Sequence, residues 1–139
     1  DEIVGQYVDV YKINIENTDE NMYGESTTKY YDKGFTFILT NILDLTKELR
    51  EIDQLTRDQT GWHTWGNFYF SRPGRLASFG LHEHDYAVIV KQIYGNSHWQ
   101  VGDKKFILKP DEVCVIPEKT KHMVYNKNEN KLSLTINLE

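Results

Sequence analysis

Cysteine, long apolar runs and positive charge are all scarce in this sequence. Cys114 is the single cysteine of 139 residues, so no internal disulfide can form. Together with the lack of a visible signal peptide, this favours a reducing compartment, and we expect the cytoplasm. No apolar stretch approaches the ~20 residues that span a bilayer, so we expect no membrane insertion. The 16 basic residues are outnumbered by 21 acidic ones, a formal charge of −5 that argues against direct nucleic-acid contact by this segment.

The remaining composition is that of a globular domain, with 39% hydrophobic and 27% charged residues. A chain of this length builds one domain with a core and is too short for two of ordinary size. We expect residues 1–60 to form a strand, a polar loop and an amphipathic helix, packed on a β-rich unit of residues 61–139. The chain begins with Asp1 and ends while it still has the pattern of a strand, so we expect a piece of a longer protein.

The first 60 residues change pattern several times. Residues 3–15 are rich in β-branched and aromatic types and predict a strand, residues 16–33 predict a polar loop, and residues 35–39 predict a short strand. Apolar residues at steps of three and four then predict a helix that begins after an Asn41 cap and ends at Gly61. These residues are Ile42, Leu45, Leu49, Ile52 and Leu55. We interpret the row as a face packed on a sheet, with a dimer seam as the alternative.

After Gly61 the helical period disappears, and short strands alternate with turn signals to the end of the chain. Turns are predicted at residues 72–74, 95–96 and 102–103. The predicted strands are 62–70, 77–90, 98–101, 106–108, 112–116, 122–125 and 132–138. Many short strands at close spacing are typical of a β-sandwich or barrel.

Two histidines stand out in the second of these strands. His82 and His84 are two residues apart, so their side chains share one face of a strand, together with Tyr86 and Val88. Charged residues occupy the opposite parity and favour water, so we expect the histidine face to point inward. Two imidazoles on one wall make half of a metal site, and His122 on a later strand is the candidate for the third.

The spacing around these histidines resembles the two motifs of the cupin superfamily. In the first motif an H-x-H pair is followed by a Glu and a Gly; in the second, a Gly, a Pro and a Gly precede a His and an Asn. Six positions carry the family residue in register: His82, His84, Gly95, Pro117, His122 and Asn126. The resemblance covers residues 80–126 and implies a small antiparallel cupin barrel, or jelly roll, with three histidines lining its pocket.

Three motif positions depart from the family pattern. Val88 stands where metal-binding cupins carry a carboxylate ligand, so the set of three His and one Glu is incomplete. Our expectation from the sequence is therefore no cofactor, while a three-His site for Fe, Zn, Ni or Cu stays chemically open. Asp111 and Lys119 replace the two glycines of the second motif, and we expect either looser turns there or a turn bond from the Asp111 side chain.

Within the superfamily, residues 82–122 look most like the N-terminal arabinose-binding-type domain of AraC-family transcription regulators, in which the metal carboxylate is commonly absent. That resemblance implies a non-catalytic domain that binds a small-molecule effector and forms a homodimer. The implied effector contacts are His82, His84, Tyr86, Val88 and His122. The helix before the barrel is a departure, because such domains usually place their dimerisation helices after it.

Two alternatives stay open. One is a metal-dependent enzyme of the dioxygenase or isomerase type with His82, His84 and His122 as ligands. The other is a barrel used only for protein association. Among the remaining residues, we expect His63 and His98 to be ordinary hydrogen-bonded histidines, because neither has a partner at useful spacing. Five aromatic residues could line a pocket for a flat or sugar-like ligand, but we expect most of them to fill the core: Trp62, Trp65, Phe68, Phe70 and Trp99. We expect Cys114 to be a buried small hydrophobe.

Overall fold

The computed structural model describes residues 7–9, 32, 36–73, 80–125 and 129–139 of the chain. Nine strands and a 14-residue helix are assigned within these ranges. In chain order they are β1 (Tyr7–Asp9), β2 (Thr36–Thr40), α1 (Lys47–Thr60), β3 (Thr64–Ser71), β4 (Ala87–Tyr94), β5 (Ser97–Val101), β6 (Lys104–Leu108), β7 (Val113–Ile116), β8 (His122–Tyr125) and β9 (Lys131–Leu138).

The strands form two sheets. The larger sheet has the order β1-β2-β3-β9-β4-β7, and the smaller has the order β6-β5-β8. Strands β1 and β2 are parallel, and the other described pairs are antiparallel. The last strand, β9, lies between β3 and β4 at the centre of the larger sheet. This arrangement confirms the predicted fold class, a mostly β antiparallel barrel with one amphipathic helix.

Strand β9 shows how the larger sheet separates two layers of side chains. Leu134 and Ile136 belong to the apolar cluster beneath α1. Ser133, Thr135 and Asn137 line a cavity on the opposite face. This is the period of two that an extended strand imposes, so one face of the sheet carries the helix and the other forms the barrel interior.

Two apolar clusters stabilise the fold, one on each side of the larger sheet. The helix-side cluster consists of Ile42, Leu43, Leu49, Leu134 and Ile136. The interior cluster joins the two sheets and consists of Val88, Val90, Trp99, Leu108 and Ile116. None of these side chains is more than 8% exposed. Burial of an aliphatic side chain to this extent contributes roughly 1.5–3 kcal/mol.

Gly66 in β3 lets the segment before the helix pack closely on the sheet. A Cβ at this position would lie 2.7 Å from the Thr135 carbonyl oxygen and 2.8 Å from Leu43 Cδ2. The Ile42 N–H donates to the Gly66 carbonyl at 3.1 Å. Ile42 therefore continues the pairing along β3 instead of starting the helix.

The helix begins later than the sequence predicted. Thr46 is the N-cap: its backbone is extended (φ −129°, ψ 162°), and its Oγ1 accepts the Leu49 N–H at 3.1 Å. The prediction of Asn41 as the cap was wrong, because Asn41 has a left-handed φ of 55° whereas an N-cap is extended. The predicted end at Gly61 is confirmed by its φ of 70° and by its N–H, which donates to the Arg57 carbonyl at 2.8 Å.

The predicted apolar row packs on the sheet over part of its length. Leu49 is buried and Ile52 half-buried in the helix-side cluster, while Ile42 is buried but precedes the helix. Leu45 and Leu55 are 51% and 58% exposed, so the row is not one continuous buried face. The packing interpretation holds for the first half of α1, where Leu49 and Ile52 lie, and the dimer seam stays a prediction. The described part of the chain contains no helix with the length and apolar character needed to cross a membrane.

The strand predicted at residues 77–90 is shorter in the structure. Strand β4 begins at Ala87, and in residues 80–86 only His82 makes a ladder pair, an isolated antiparallel bridge with His122. Beyond the bridge the segment pairs with a loop, because the Lys119 N–H donates to the His84 carbonyl at 2.7 Å. Residues 74–79 lie outside the described residues. So do the predicted strand 3–15 beyond Tyr7–Asp9 and the predicted loop 16–33 apart from residue 32.

Replacing Thr46 by Ala should lower the free energy of unfolding by about 1 kcal/mol, because the Leu49 N–H loses its acceptor. Thr46→Ser keeps the hydroxyl and should unfold close to the parent. Urea denaturation followed by circular dichroism measures both. An Ala variant as stable as the parent would mean that the helix does not begin at this cap.

Candidate metal and ligand site

The barrel interior contains a cavity of about 170 Å³. Histidine and aromatic side chains line one part of it, apolar side chains of β4 and β7 another, and the inward residues of β3 and β9 a third. All five side chains predicted from the sequence as ligand contacts line this cavity: His82, His84, Tyr86, Val88 and His122. Their role in binding stays a prediction, while their convergence on one cavity is a feature of the structure.

The three histidines form a compact cluster. One ring nitrogen from each of His82, His84 and His122 can be chosen so that the three atoms all lie within 4.8 Å of one another. The ring centroids are 4.3 Å apart for His82 and His122, 4.9 Å for His82 and His84, and 5.1 Å for His84 and His122. His122 is buried and the other two rings are half-buried. Three ligand atoms at this spacing make the cluster a candidate site for one metal ion.

Backbone hydrogen bonds bring the two histidine segments together. The His82 N–H donates to the His122 carbonyl at 3.1 Å, and the His122 N–H donates to the His82 carbonyl at 2.8 Å. This reciprocal pair joins residues 40 positions apart in the chain (122 minus 82). The bond from the Lys119 N–H to the His84 carbonyl adds a third link between the same segments.

The turns of the second motif keep a glycine-like backbone without glycine. Asp111 has a φ of 71° and Lys119 a φ of 57°, both in the left-handed region. The expectation of looser turns was therefore wrong, and the physical reason is hydrogen bonding. The Asp111 N–H donates to the Gln92 carbonyl at 2.8 Å, and the Lys119 N–H holds His84. These bonds offset the roughly 1–2 kcal/mol that a left-handed conformation costs a residue with a Cβ.

Backbone carbonyls fix the tautomer of two of the rings. His82 Nδ1 lies 2.6 Å from the Gly80 carbonyl oxygen, and His122 Nδ1 lies 2.9 Å from that of Thr120. A carbonyl only accepts, so each Nδ1 carries the proton and donates it. In the neutral ring Nε2 is then the atom with a free lone pair. Metal-binding histidines are commonly oriented by such a bond on the far nitrogen.

Burial keeps two of these rings neutral. The pKa of His84 is lowered by desolvation and then by the neighbouring His82. The pKa of His122 is lowered chiefly by desolvation, and further by His82 and His84, although its bond to the Thr120 carbonyl acts in the opposite direction. A lowered pKa leaves the imidazole unprotonated at neutral pH, which is the form that binds a metal.

Aromatic rings support the cluster from two sides. Tyr86 is stacked on His84, with ring centroids 4.8 Å apart and 6° between the planes, and Trp65 contacts Tyr86 edge-on at 5.4 Å. The indole of Trp99 lies 6.3 Å from the His122 ring. Burial and the charge of Glu139 raise the pKa of Tyr86, so its hydroxyl is protonated at neutral pH.

Most of the polar wall of the cavity was not predicted from the sequence. Of the aromatic residues that we expected mostly to fill the core, Trp65 and Trp99 line the cavity, and Trp99 also belongs to the interior cluster. The inward side chains of β3 and β9 were not predicted as cavity residues: Asn67, Tyr69, Ser71, Lys131, Ser133, Thr135 and Asn137. A signal for them existed, because polar residues alternate with Leu and Ile along β9.

The other candidate groups lie outside the cluster. Glu83 and Asp85 are exposed, and no carboxylate lies among the described residues that line the cavity. His63 is exposed and His98 half-buried, and neither belongs to the histidine cluster. Cys114 is half-buried, and burial raises the pKa of its thiol to about 11, so it is protonated and poorly nucleophilic at neutral pH.

The fold is shared with solved structures. YcfD, a ribosomal oxygenase from Escherichia coli, matches with a TM-score of 0.65 and 20% identity over 75% of this chain and 31% of its own. Its structure has also been solved in complex with cobalt and succinic acid. The DMSP lyase DddQ from Ruegeria pomeroyi matches with a TM-score of 0.51 and 16% identity over 55% and 38% of the two chains. The plu4264 protein from Photorhabdus luminescens matches with a TM-score of 0.50 and 27% identity over 55% and 62%.

These similarities confirm the predicted cupin-type fold, and the likeness to YcfD and DddQ shows the fold alone. No protein-family model and no curated protein matches the sequence. This chain spans about a third of the lengths of YcfD and DddQ, at 31% and 38%. None of these structures singles out the predicted AraC-type sensor domain.

In metal-free protein, the free energy of unfolding should fall as the pH is lowered from 7.5 to 5.5. The pKa values of His84 and His122 are lowered in the folded state, so the unfolded chain takes up protons first, near 6.5. A His84→Gln/His122→Gln variant should show a smaller fall. His63→Gln, at an exposed position, should behave like the parent. Urea titrations in EDTA at both pH values measure this, and an equal fall in all three proteins would contradict it.

Proposed function

We propose that this barrel is a metal-dependent enzyme domain in which His82, His84 and His122 hold one divalent cation. The observation that supports it best is the convergence of three imidazole nitrogens within 4.8 Å inside a cavity. The reading of the domain as the effector-binding part of a transcription regulator has no comparable support among the described residues. The predicted homodimer and small-molecule effector stay predictions of the sequence.

The donor set fits a borderline-soft divalent ion. Imidazole nitrogen suits Zn²⁺, Fe²⁺, Ni²⁺ and Cu²⁺, and three neutral histidines are a known catalytic set for zinc. The Nδ1 bonds of His82 and His122 leave Nε2 as the donor on each ring. Val88 supplies no carboxylate, so the described ligands leave the full charge of the ion uncompensated and leave room for an exogenous ligand. An open position distinguishes a catalytic site from a closed structural one.

A bound cation would supply Lewis-acid polarisation of a substrate oxygen or a lowered pKa of a bound water. The residues of the chain would do the rest. Val88, Ile116 and Trp99 present apolar surface that excludes bulk water from the cavity. Tyr86 holds the His84 ring by stacking and carries a protonated hydroxyl that can donate to a substrate oxygen.

The complex of YcfD with cobalt and succinic acid supports the proposal, because it shows that a barrel of this fold can be solved with a metal and a small carboxylic acid. At 18% identity the likeness to YcfD shows the fold and not the reaction. The reaction class therefore stays at the level of a small metal-dependent cupin enzyme, of the dioxygenase or isomerase type.

Elemental analysis of protein loaded with Zn²⁺ and dialysed against metal-free buffer should find about one ion per chain. A His82→Ala/His84→Ala variant should retain none, because a single imidazole does not hold the ion through dialysis. His63→Ala is the matched control, since His63 lies outside the cluster, and it should retain the parent's content. A parent without metal, or a double variant with the parent's content, would contradict the site.

Cobalt-loaded protein should report an open coordination position, which an enzyme needs and a structural site lacks. Adding azide should shift the visible d–d bands of the Co²⁺ form in a saturable way, because the anion enters the position that the three histidines leave free. A spectrum that azide leaves unchanged at all concentrations would indicate closed coordination and would contradict the enzyme reading, even if the metal content is stoichiometric.

A further inference from the structure

Lys131 is a buried lysine in the wall of the cavity. It begins β9, is 4% exposed, and lines the same cavity as the histidines. Its register partner on β3 is Ser71, whereas the histidine segment joins the sheet at the opposite end of β9, where Ala87 pairs with Leu138. Lys131 and the histidines therefore approach the cavity from opposite ends of the barrel.

The ammonium group of Lys131 has little to compensate its charge among the described residues. Its Nζ donates to the Tyr125 carbonyl at 3.4 Å, which is a long hydrogen bond. The ion pairs of the described chain lie on the helix surface, between Lys47 and Glu51 and between Arg57 and Asp53. Burial lowers the pKa of Lys131 to about 7, as expected for an ammonium without a counter-charge.

The residues near the start of β9 are polar and are held by hydrogen bonds centred on Gln92. The buried Gln92 donates from Nε2 to the carbonyls of Tyr94 and Gly95 at 2.9 and 3.0 Å. Its Oε1 accepts from the hydroxyls of Ser97 and Ser133, the latter at 2.6 Å. All hydrogen-bonding positions of the Gln92 amide are therefore occupied, so it does not act as a hydrogen-bond acceptor for Lys131. Because this network is saturated, it gives Lys131 no further partner, and the neighbouring Asn130 Oδ1 is also buried without a hydrogen-bond partner among the described residues.

Gly95 allows the chain to approach closely at this point. It has a φ of 67°, and a Cβ there would collide with the Asn130 carbonyl and lie 3.1 Å from Lys131 Cα. The start of β9 is therefore pressed onto the turn between β4 and β5. The position of the Lys131 backbone is set by this packing, so the lysine does not reach solvent by a shift of its strand.

Trp99 presents a buried donor without a partner. Its indole Nε1 is buried and has no hydrogen-bond acceptor within reach among the described residues. Trp99 lines the cavity and its ring lies near His122. A buried N–H that lacks an acceptor lowers the stability of the ligand-free protein. The cavity thus presents a buried ammonium with one long hydrogen bond and an indole N–H without an acceptor, and its described wall holds no carboxylate. These features favour a ligand with acceptor oxygens.

We propose that the cavity binds a small organic anion, whose carboxylate pairs with the Lys131 ammonium at one end while an oxygen at its other end faces the three histidines. This deepens the proposed function and rests on it for the histidine end, where an anionic ligand would also offset the charge of the cation. The lysine end requires no metal. A ligand carboxylate would supply the counter-charge and hydrogen bonds that a buried ammonium requires.

Succinate and glutarate are the probes, with succinamide as the uncharged control, and calorimetric titration is the measurement. Zinc-loaded parent should bind at least one of the two dicarboxylates and bind succinamide far more weakly. Lys131→Met should weaken dicarboxylate binding roughly 100-fold or more, because it removes one partner of a buried ion pair. Lys131→Arg keeps the charge and should retain measurable binding.

Two further readouts separate this proposal from the metal proposal. Lys131→Met should keep the parent's zinc content and should unfold at a higher temperature than the ligand-free parent, because a buried uncompensated charge is replaced by an apolar side chain of similar length. A purely structural lysine would instead give a less stable variant. His82→Ala/His84→Ala should lose zinc, and any residual dicarboxylate binding in it should still depend on Lys131.

Dicarboxylate binding that Lys131→Met leaves unchanged would overturn the lysine subsite, as would a zinc-loaded parent that binds neither dicarboxylate. A different result would contradict the metal proposal alone: a parent that takes up no zinc but binds a dicarboxylate through Lys131. In that case the anion site stands and the enzyme reading falls.

Discussion

The reciprocal backbone pairing of His82 and His122 is the constraint on which the site depends. These two hydrogen bonds join a segment before β4 to the start of β8, and so bring the larger sheet and the smaller sheet together at one end of the barrel. The Lys119 N–H holds the carbonyl of His84 from the same side. Without these bonds the segment that carries His82 and His84 would not be held against β8. The His122 ring would then have no fixed position relative to the other two imidazoles.

The barrel interior has two chemically different ends around one cavity. The histidine end is aromatic and carries neutral imidazoles whose free lone pairs suit a cation. The Lys131 end carries a buried ammonium beside a saturated amide and hydroxyl network centred on Gln92. An apolar layer from the interior cluster lies between the sheets. The burial of these polar groups lowers the stability of the ligand-free barrel. We expect a bound ligand to compensate for this loss by pairing with them.

The left-handed turns at Asp111 and Lys119 accept backbone strain and in return hold neighbouring segments in place. Asp111 and Lys119 adopt the backbone that the family motif assigns to glycine, and both use their N–H groups to hold a neighbouring segment. A glycine would relieve the strain but would give the unfolded chain more freedom. The retained conformation indicates that the hydrogen bonds from these residues, and not the residue type, define the turn before β7 and the loop before β8.

The features of the fold and site that were predicted from the sequence depend on the periodicity of side chains along a strand and on the spacing between motif residues. The spacing of two residues predicted that His82 and His84 share one side, and they do converge, although the predicted strand is reduced there to a single bridge at His82. The resemblance to the family motif supplied the spacing of His122. The strands after Gly61 were found from the same periodicity, with ends shifted by one or two residues except for β4, which begins at Ala87 and ends at Tyr94 instead of spanning residues 77–90.

What the sequence could not predict depends on contacts between distant segments. Asn41 and Thr46 are both good capping residues, and only the pairing of Ile42 with β3 decides that the helix starts at the second. Lys131 follows a polar stretch, where a lysine is expected to be exposed. Its burial results from the packing of β9 between β3 and β4, with the turn at Gly95 pressed against it.

The central claim is that three imidazoles of this barrel hold one divalent cation. The most direct measurement is an anomalous difference map from crystals grown with Zn²⁺ and recorded at the zinc absorption edge. The account predicts one strong peak in the barrel cavity, at about 2.0–2.1 Å from a ring nitrogen of each of His82, His84 and His122. A cavity without a peak, or zinc bound only by surface carboxylates or by His63, would contradict it.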